Sequence, residues 1–178
     1  GVTYWAATSG GLFGWNSSNN SYQRYTNAEG LQSTDLTALG IDNNGNIWTG
    51  TSTGLIHVYS QRNGTWRYIL DIINTNQTNK RINSFAILGD TVLVCTEFGL
   101  SVFRSSRFEF GDTYTRFGSL QGNVRVAVTS AVIYNDSLWL TVSDGNVSRV
   151  AVAGLATSNL LPPESWDLRT VGGITVVS

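Results

Sequence analysis

His57 is the single histidine of the chain, so a Ser–His–Asp or Cys–His nucleophile would have to be assembled around it alone. It lies between Ile56 and Val58, and strand alternation turns it to the opposite face from both, which reads as a polar or half-exposed strand residue. Cys95 has no second cysteine for an internal disulfide and sits between Val94 and Thr96, the setting of a small buried apolar residue. A zinc site would lack its usual ligands. Asp42 and Gly45 frame a run of turn residues in which carboxylates are too sparse for calcium's six to eight oxygens, so Asp42 reads as a turn former. The acidic residues fall mostly in turns or beside arginines, and no pair stands out for glycoside hydrolysis. No catalytic set, metal site or cofactor site is expected, and the chain reads as a non-enzyme.

Two turns break the pattern of small residues around them. Glu97 and Phe98 set a carboxylate beside an aromatic ring where the first two repeats carry Ser-Gly or Ser-Thr, and Lys80 and Arg81 place two cations just before an apolar run. With Arg125 and Asp144 in matching loops, these are the ligand or partner-binding candidates. For Phe98 the alternative is that the ring folds back onto a neighbouring blade.

The element that must position these residues repeats four times. A tryptophan-to-glycine cassette runs from Trp5 to Gly11 and Leu12, and again from Trp48 to Gly54 and Leu55. It returns from Leu93 to Gly99 and Leu100, and from Trp139 to Gly145 with Asn146 in place of leucine. A period of about 45 residues built from short β-type runs is the signature of propeller blades. The second repeat shows the four strands of a blade: Leu36 to Ile41, Ile47 to Thr51, Leu55 to Tyr59 and Trp66 to Leu70, with the Asp42–Asn46 turn after the first. The third gives Ile82 to Leu88, Val92 to Thr96, Leu100 to Phe103 and Thr113 to Phe117. The fourth gives Val128 to Tyr134, Leu138 to Val142, Val147 to Val152 and Trp166 to Thr170. The cassette tryptophans, at matching positions, read as packing residues between adjacent sheets.

The first repeat begins directly at its second strand, and residues 171–178 read as an innermost strand with nothing after it. The expected fold is an all-β propeller of four four-stranded blades in permuted register, with that last strand completing the first blade beside Val2 to Ala6; half of a larger ring is the alternative. The chain reads as one domain with repeats at about 1–34, 35–80, 81–125 and 126–170, followed by the closing strand. A monomer and a two-chain ring both remain open.

Composition bounds the partners. The chain is 41% hydrophobic, ample for a core, whereas a net charge of −1 offers no basic field for nucleic acid or an anionic membrane. No apolar run approaches the length of a membrane span. The first residue is Gly and there is no Met, which reads as a processed or excised chain. The six Asn-x-Ser/Thr triplets read as polar turns.

The run Asp42-Asn-Asn-Gly45-Asn46-Ile47-Trp48-Thr-Gly50-Thr51, closing on Gly54 and Leu55, resembles the two-component-regulator propeller repeat of bacterial exported and sensor proteins. The stretch from Tyr25 to Gly30 and Leu31 resembles that family's outer-strand linker, and the later half, with Pro162, Pro163 and Trp166, is similar to propellers of type IX secretion bacteria. The resemblance implies a bacterial extracytoplasmic module, periplasmic or secreted, that senses a ligand or scaffolds an assembly. A protein or glycan would dock at the channel-mouth face, where the loops Asn27 to Ser33, Asn74 to Arg81 and Ser119 to Arg125 gather with the cassette turns. The alternatives are a propeller-fold polysaccharide hydrolase or lyase and a purely structural module of a longer exported protein.

Overall fold

The computed structural model describes residues 2–120, 126–145, 147–156 and 159–170. Four antiparallel sheets follow one another along the chain, each built from strands paired in sequence order, which is the architecture of propeller blades. The first sheet contains β1 (Thr3–Thr8), β2 (Gly11–Asn16) and β3 (Ser21–Tyr25). The second contains β4 (Leu36–Ile41), β5 (Ile47–Thr51), β6 (Ile56–Ser60) and β7 (Thr65–Ile69). The third contains β8 (Ile82–Leu88), β9 (Thr91–Thr96), β10 (Gly99–Arg104) and β11 (Glu109–Tyr114), and the fourth β12 (Ala127–Tyr134), β13 (Ser137–Ser143), β14 (Ser148–Gly154) and β15 (Asp167–Arg169). The expected fourth strand of the first sheet, residues 171–178, lies outside the described residues.

Most strand limits follow the apolar runs and the turn residues between them, and one does not. The outer strand of the third blade, expected over Thr113 to Phe117, instead spans Glu109–Tyr114. Its pairing with β10 sets Phe110 opposite Phe103 with a register shift between Ser101 and Phe103, and the two rings meet edge to face at 5.2 Å. Aromatic pairing across the ladder, rather than the run of large residues further on, sets the register. Phe117 leaves the strand and enters the core, where it meets Trp166 at 5.0 Å.

The two short 3-10 turns lie in the connections between strands. Asn27–Glu29 is closed by a capping box: the Thr26 hydroxyl accepts from the Ala28 N–H, and the Glu29 carboxylate accepts from the Thr26 N–H and hydroxyl, both at 2.7 Å. Pro163–Ser165 has proline at its start, where the missing N–H leaves no bond unmade. Among the described residues no helix is long and apolar enough to cross a membrane.

The chain divides into two compact units, Gly1–Ile82 with the first two blades and Asn83–Ser178 with the last two. In the first, Leu12, Leu31, Leu36 and Ile47 are buried together, with Trp5, Tyr25, Tyr59 and Trp66 packed against them. In the second, Leu93, Cys95, Leu100, Leu138, Leu140 and Trp166 belong to one core. The first and third blades thus lend the cassette side of their sheets to these cores and the second and fourth the opposite side, and burial of those side chains supplies most of the stabilisation at about 25 cal/mol per Å² of apolar surface.

Candidate functional site

The groups best suited to chemistry are all held by the fold. His57 on β6 is fully buried, which corrects the expectation of a polar or half-exposed position. Alternation does turn it away from Ile56 and Val58, but the linker after β3 covers that face, and the Gln32 N–H donates to His57 Nε2 at 3.2 Å. With Nε2 accepting, the ring proton sits on Nδ1 and points at Thr49 Oγ1, 3.2 Å away. Trp66 and Tyr68 meet the ring edge-on. Burial pushes the imidazole down to about 4, so it is neutral near pH 7, with both nitrogens engaged.

Asp42 is equally committed. Its carboxylate accepts from the Asn44 N–H, the Asn46 N–H and the Asn46 amide at 2.9 Å each, and from Trp48 Nε1 at 3.0 Å. The turn former and the cassette tryptophan are thereby one unit, and no acceptor face is left toward solvent for a cation. Among the described residues no three His, Cys, Asp or Glu side chains are grouped to hold a metal ion. Cys95 is buried, and burial pushes its thiol up to about 11, so it stays protonated and weakly nucleophilic.

The binding candidates fall in both units. In the first, Lys80 donates from Nζ to the Ile73 carbonyl at 2.5 Å and is half-buried, so its cation braces the loop. Arg81 is exposed, and its N–H donates to Asn79 Oδ1 at 3.2 Å. In the second, Glu97 is half-buried on the turn between β9 and β10. Phe98 is only 2% exposed, so its ring is not available at the surface. The Thr96 hydroxyl draws this turn closed, accepting from the Phe98 N–H and donating to the Gly99 carbonyl. Asp144 occupies the equivalent turn between β13 and β14, where its Oδ1 accepts from the Val147 N–H at 2.8 Å. Arg125 lies outside the described residues.

The most exposed aromatic surface is one that sequence reasoning missed. On the first sheet, Tyr4 stands opposite Trp15, and Trp15 opposite Tyr22. These side chains are 58%, 37% and 75% exposed. The Tyr4 and Trp15 rings stack at 5.4 Å, Trp15 Nε1 donates to Asn20 Oδ1 at 3.0 Å, and the Arg24 guanidinium lies 5.8 Å from the Phe13 ring centre. Period-two alternation carries the signal: Tyr4 with Ala6, Phe13 with Trp15 and Tyr22 with Arg24 share one face, while Trp5, Leu12 and Tyr25 share the other. Attention to the repeating cassette picks out only the second set.

Strand order and register define the class: a domain of β-propeller blades. Residues 4–167 match the family model of the N-terminal β-propeller domain of PorZ, a protein of type IX secretion, and the chain belongs to that family. Among solved structures it is similar to PorZ of Porphyromonas gingivalis, described as an essential bacterial surface component of the type IX secretion system, at 18% identity and a TM-score of 0.74 over 94% of this chain and 21% of that one. The extracellular domain of a putative hybrid two-component system from B. thetaiotaomicron matches at 16% identity and a TM-score of 0.67, over 87% of this chain and 20% of that one. A computationally designed protein, Ika8, matches at 18% identity and 0.61, over 90% and 44%. At such identities these likenesses show the fold. The chain spans about a fifth of the length of the PorZ and sensor structures. No curated protein matches the chain in sequence.

Proposed function

We propose that this chain is a non-catalytic, extracytoplasmic binding and assembly module of a bacterial surface protein, engaging a protein or glycan through surface turns, with Arg81 the candidate contact of the first unit and Glu97 and Asp144 those of the second. The observation that carries the reading is the condition of His57: the one side chain with an ordinary pKa near neutrality is buried, neutral and engaged at both nitrogens. Asp42 and Cys95 are likewise committed to the interior, which leaves the surface turns to bind rather than react. Membership of the PorZ propeller family and likeness to sensor propellers support the same reading.

The test is incubation with a panel of neutral and acidic polysaccharides, read by new reducing ends and by retention in affinity electrophoresis. The expected result is retention without turnover, with Arg81→Glu and Glu97→Lys each weakening it about tenfold, equivalent to about 1.4 kcal/mol. Release of reducing ends in proportion to protein would overturn the non-catalytic assignment. If no glycan is retained, the same two variants decide the protein-binding branch in surface plasmon resonance against purified type IX secretion components.

A further inference from the structure

The two ends of the third blade present different turns. The β9–β10 turn, with Glu97 and Phe98, closes one end, and at the other the β8–β9 turn of Gly89 and Asp90 meets the β10–β11 turn, Ser105 to Phe108. Asp90 fixes its neighbour there. Its Oδ1 accepts from the Ser105 hydroxyl at 2.9 Å and from the Ser106 N–H, its Oδ2 from the Ser106 hydroxyl at 2.8 Å, and its carbonyl from the Ser105 N–H at 2.9 Å. Phe108 fastens the far side of the turn. It adopts φ of 57°, an unfavourable conformation for a bulky residue, and its ring meets the buried Phe103 edge-on at 5.3 Å.

Between these anchors Arg107 is exposed, and with Arg104 and Asp90 it lines a cavity of about 340 Å³. The two cations are not neutralised by contact. Arg104 donates from Nη1 to the Thr91 hydroxyl at 2.5 Å, and neither guanidinium makes an ion pair with a described residue. Glu109 stands opposite Arg104 in the ladder yet forms no such pair. Asp90 is engaged by Ser106 and Ser105, whose hydrogen bonds hold its carboxyl below the ordinary range and so keep it ionised. The lining therefore carries two positive charges and one negative, a surplus of one cation.

We propose that the cavity between Arg104 and Arg107 binds a carboxylate, and that its occupant is an aspartate or glutamate side chain of a partner protein. A guanidinium offers a planar fork of donors that matches the two oxygens of a carboxylate, and a surplus of one positive charge is met by a monoanion rather than by a doubly charged phosphate. An acidic sugar fits less well. Phe108 and Phe110 both turn edge-on to Phe103, and the described lining holds no aromatic face on which a sugar ring could stack. The cavity lies at the opposite end of the blade from Glu97, so it is a second contact surface, independent of the cassette turns.

The experiment is an amide correlation NMR titration of the 178-residue chain with a capped hexaglutamate peptide up to about 2 mM, enough to populate a site of submillimolar affinity. Saturable shifts are expected in the amides of Asp90 and of Arg104 to Phe108, with those of Glu97 unmoved. Arg104→Gln and Arg107→Gln should each weaken binding about tenfold, and Arg107→Lys, which keeps the charge and loses the fork, about threefold. Arg62→Gln, at an exposed arginine of the first unit, should leave it unchanged. Both cavity arginines are exposed, so spectra that overlay away from the site will confirm that the variants fold. Absence of saturable shifts overturns the proposal, as do shifts that survive both glutamine variants. Affinity unaltered by Arg107→Lys would reduce the effect to diffuse charge and overturn it too. Tighter binding of hexagalacturonate at the same amides would assign the cavity to a glycan and overturn the protein occupant.

Discussion

His57 is a titratable group with a measurable consequence. The unfolded chain takes up its proton near pH 6.5 and the folded chain only near 4, so between those values the unfolded state binds more protons and stability falls as the pH falls. The difference amounts to about 3 kcal/mol by pH 4. The denaturant midpoint should therefore be level above about pH 7 and decline steadily below 6.5. Replacement by His57→Gln, which carries no titrating proton, should flatten the decline between pH 6.5 and 5; an unchanged slope would mean that the imidazole is not desolvated. Two carboxylates act lower on the scale. Glu29 is held below its ordinary range by hydrogen bonds from the Thr26 hydroxyl and backbone, and Asp90 by those from Ser106 and Ser105. Their contributions are present above the ordinary carboxylate range and disappear as the pH falls through it, outside the window assigned to His57. The role of Asp42 was legible from its turn-forming neighbours. The bond from Trp48 to its carboxylate was not, because nothing in a run of six residues says that the indole will swing back over the turn.

At the scale of the element, the cassette glycine separates two physical demands. Gly99 has φ of 143°, and a Cβ there would lie 2.1 Å from the Tyr114 carbonyl oxygen on the adjoining strand. Gly145, its counterpart in the next blade, has φ of 89° with open space where a Cβ would stand. Gly99→Ala thus incurs both backbone strain and a collision with main chain, about 3 kcal/mol, whereas Gly145→Ala incurs only the strain, about 1 kcal/mol. Equilibrium unfolding of the two variants checks the ordering, and equal losses would refute it. The repeat alone marks both glycines alike. Only the packed outer strand beside Gly99 distinguishes them, and the same strand shows why β11 starts at Glu109: Phe110 finds Phe103 across the ladder.

For the whole molecule, burial is graded across the sheets. Every residue of β5 is buried and β9 is buried after its first residue, whereas β1 alternates between half-buried and exposed, and β3 is exposed or half-buried throughout. Amide exchange should follow that order, with Ile47–Thr51 and Thr91–Thr96 opening only on global unfolding and Thr3–Thr8 and Ser21–Tyr25 exchanging through local fluctuations. Mass-spectrometric exchange at increasing denaturant reads the order directly, and uniform protection of all four segments would contradict it.

Four blades, their strand order and nearly all strand limits were present in the sequence, because period-two alternation, Asn-Gly turn chemistry and a cassette returning about every 45 residues are local properties that no distant contact needs to supply. The absence of a basic field was likewise a matter of composition. Tertiary structure decided which side of each strand is covered. His57 and Phe98 look surface-directed in a one-dimensional pattern and are buried, His57 beneath the linker that carries Gln32, while Tyr4, Trp15 and Tyr22, which the cassette does not mark, stand exposed. A sheet has two faces with the same alternation, and the sequence of one blade carries no mark of whether a neighbour lies against the second; that depends on contacts between blades, which form only when the chain is folded.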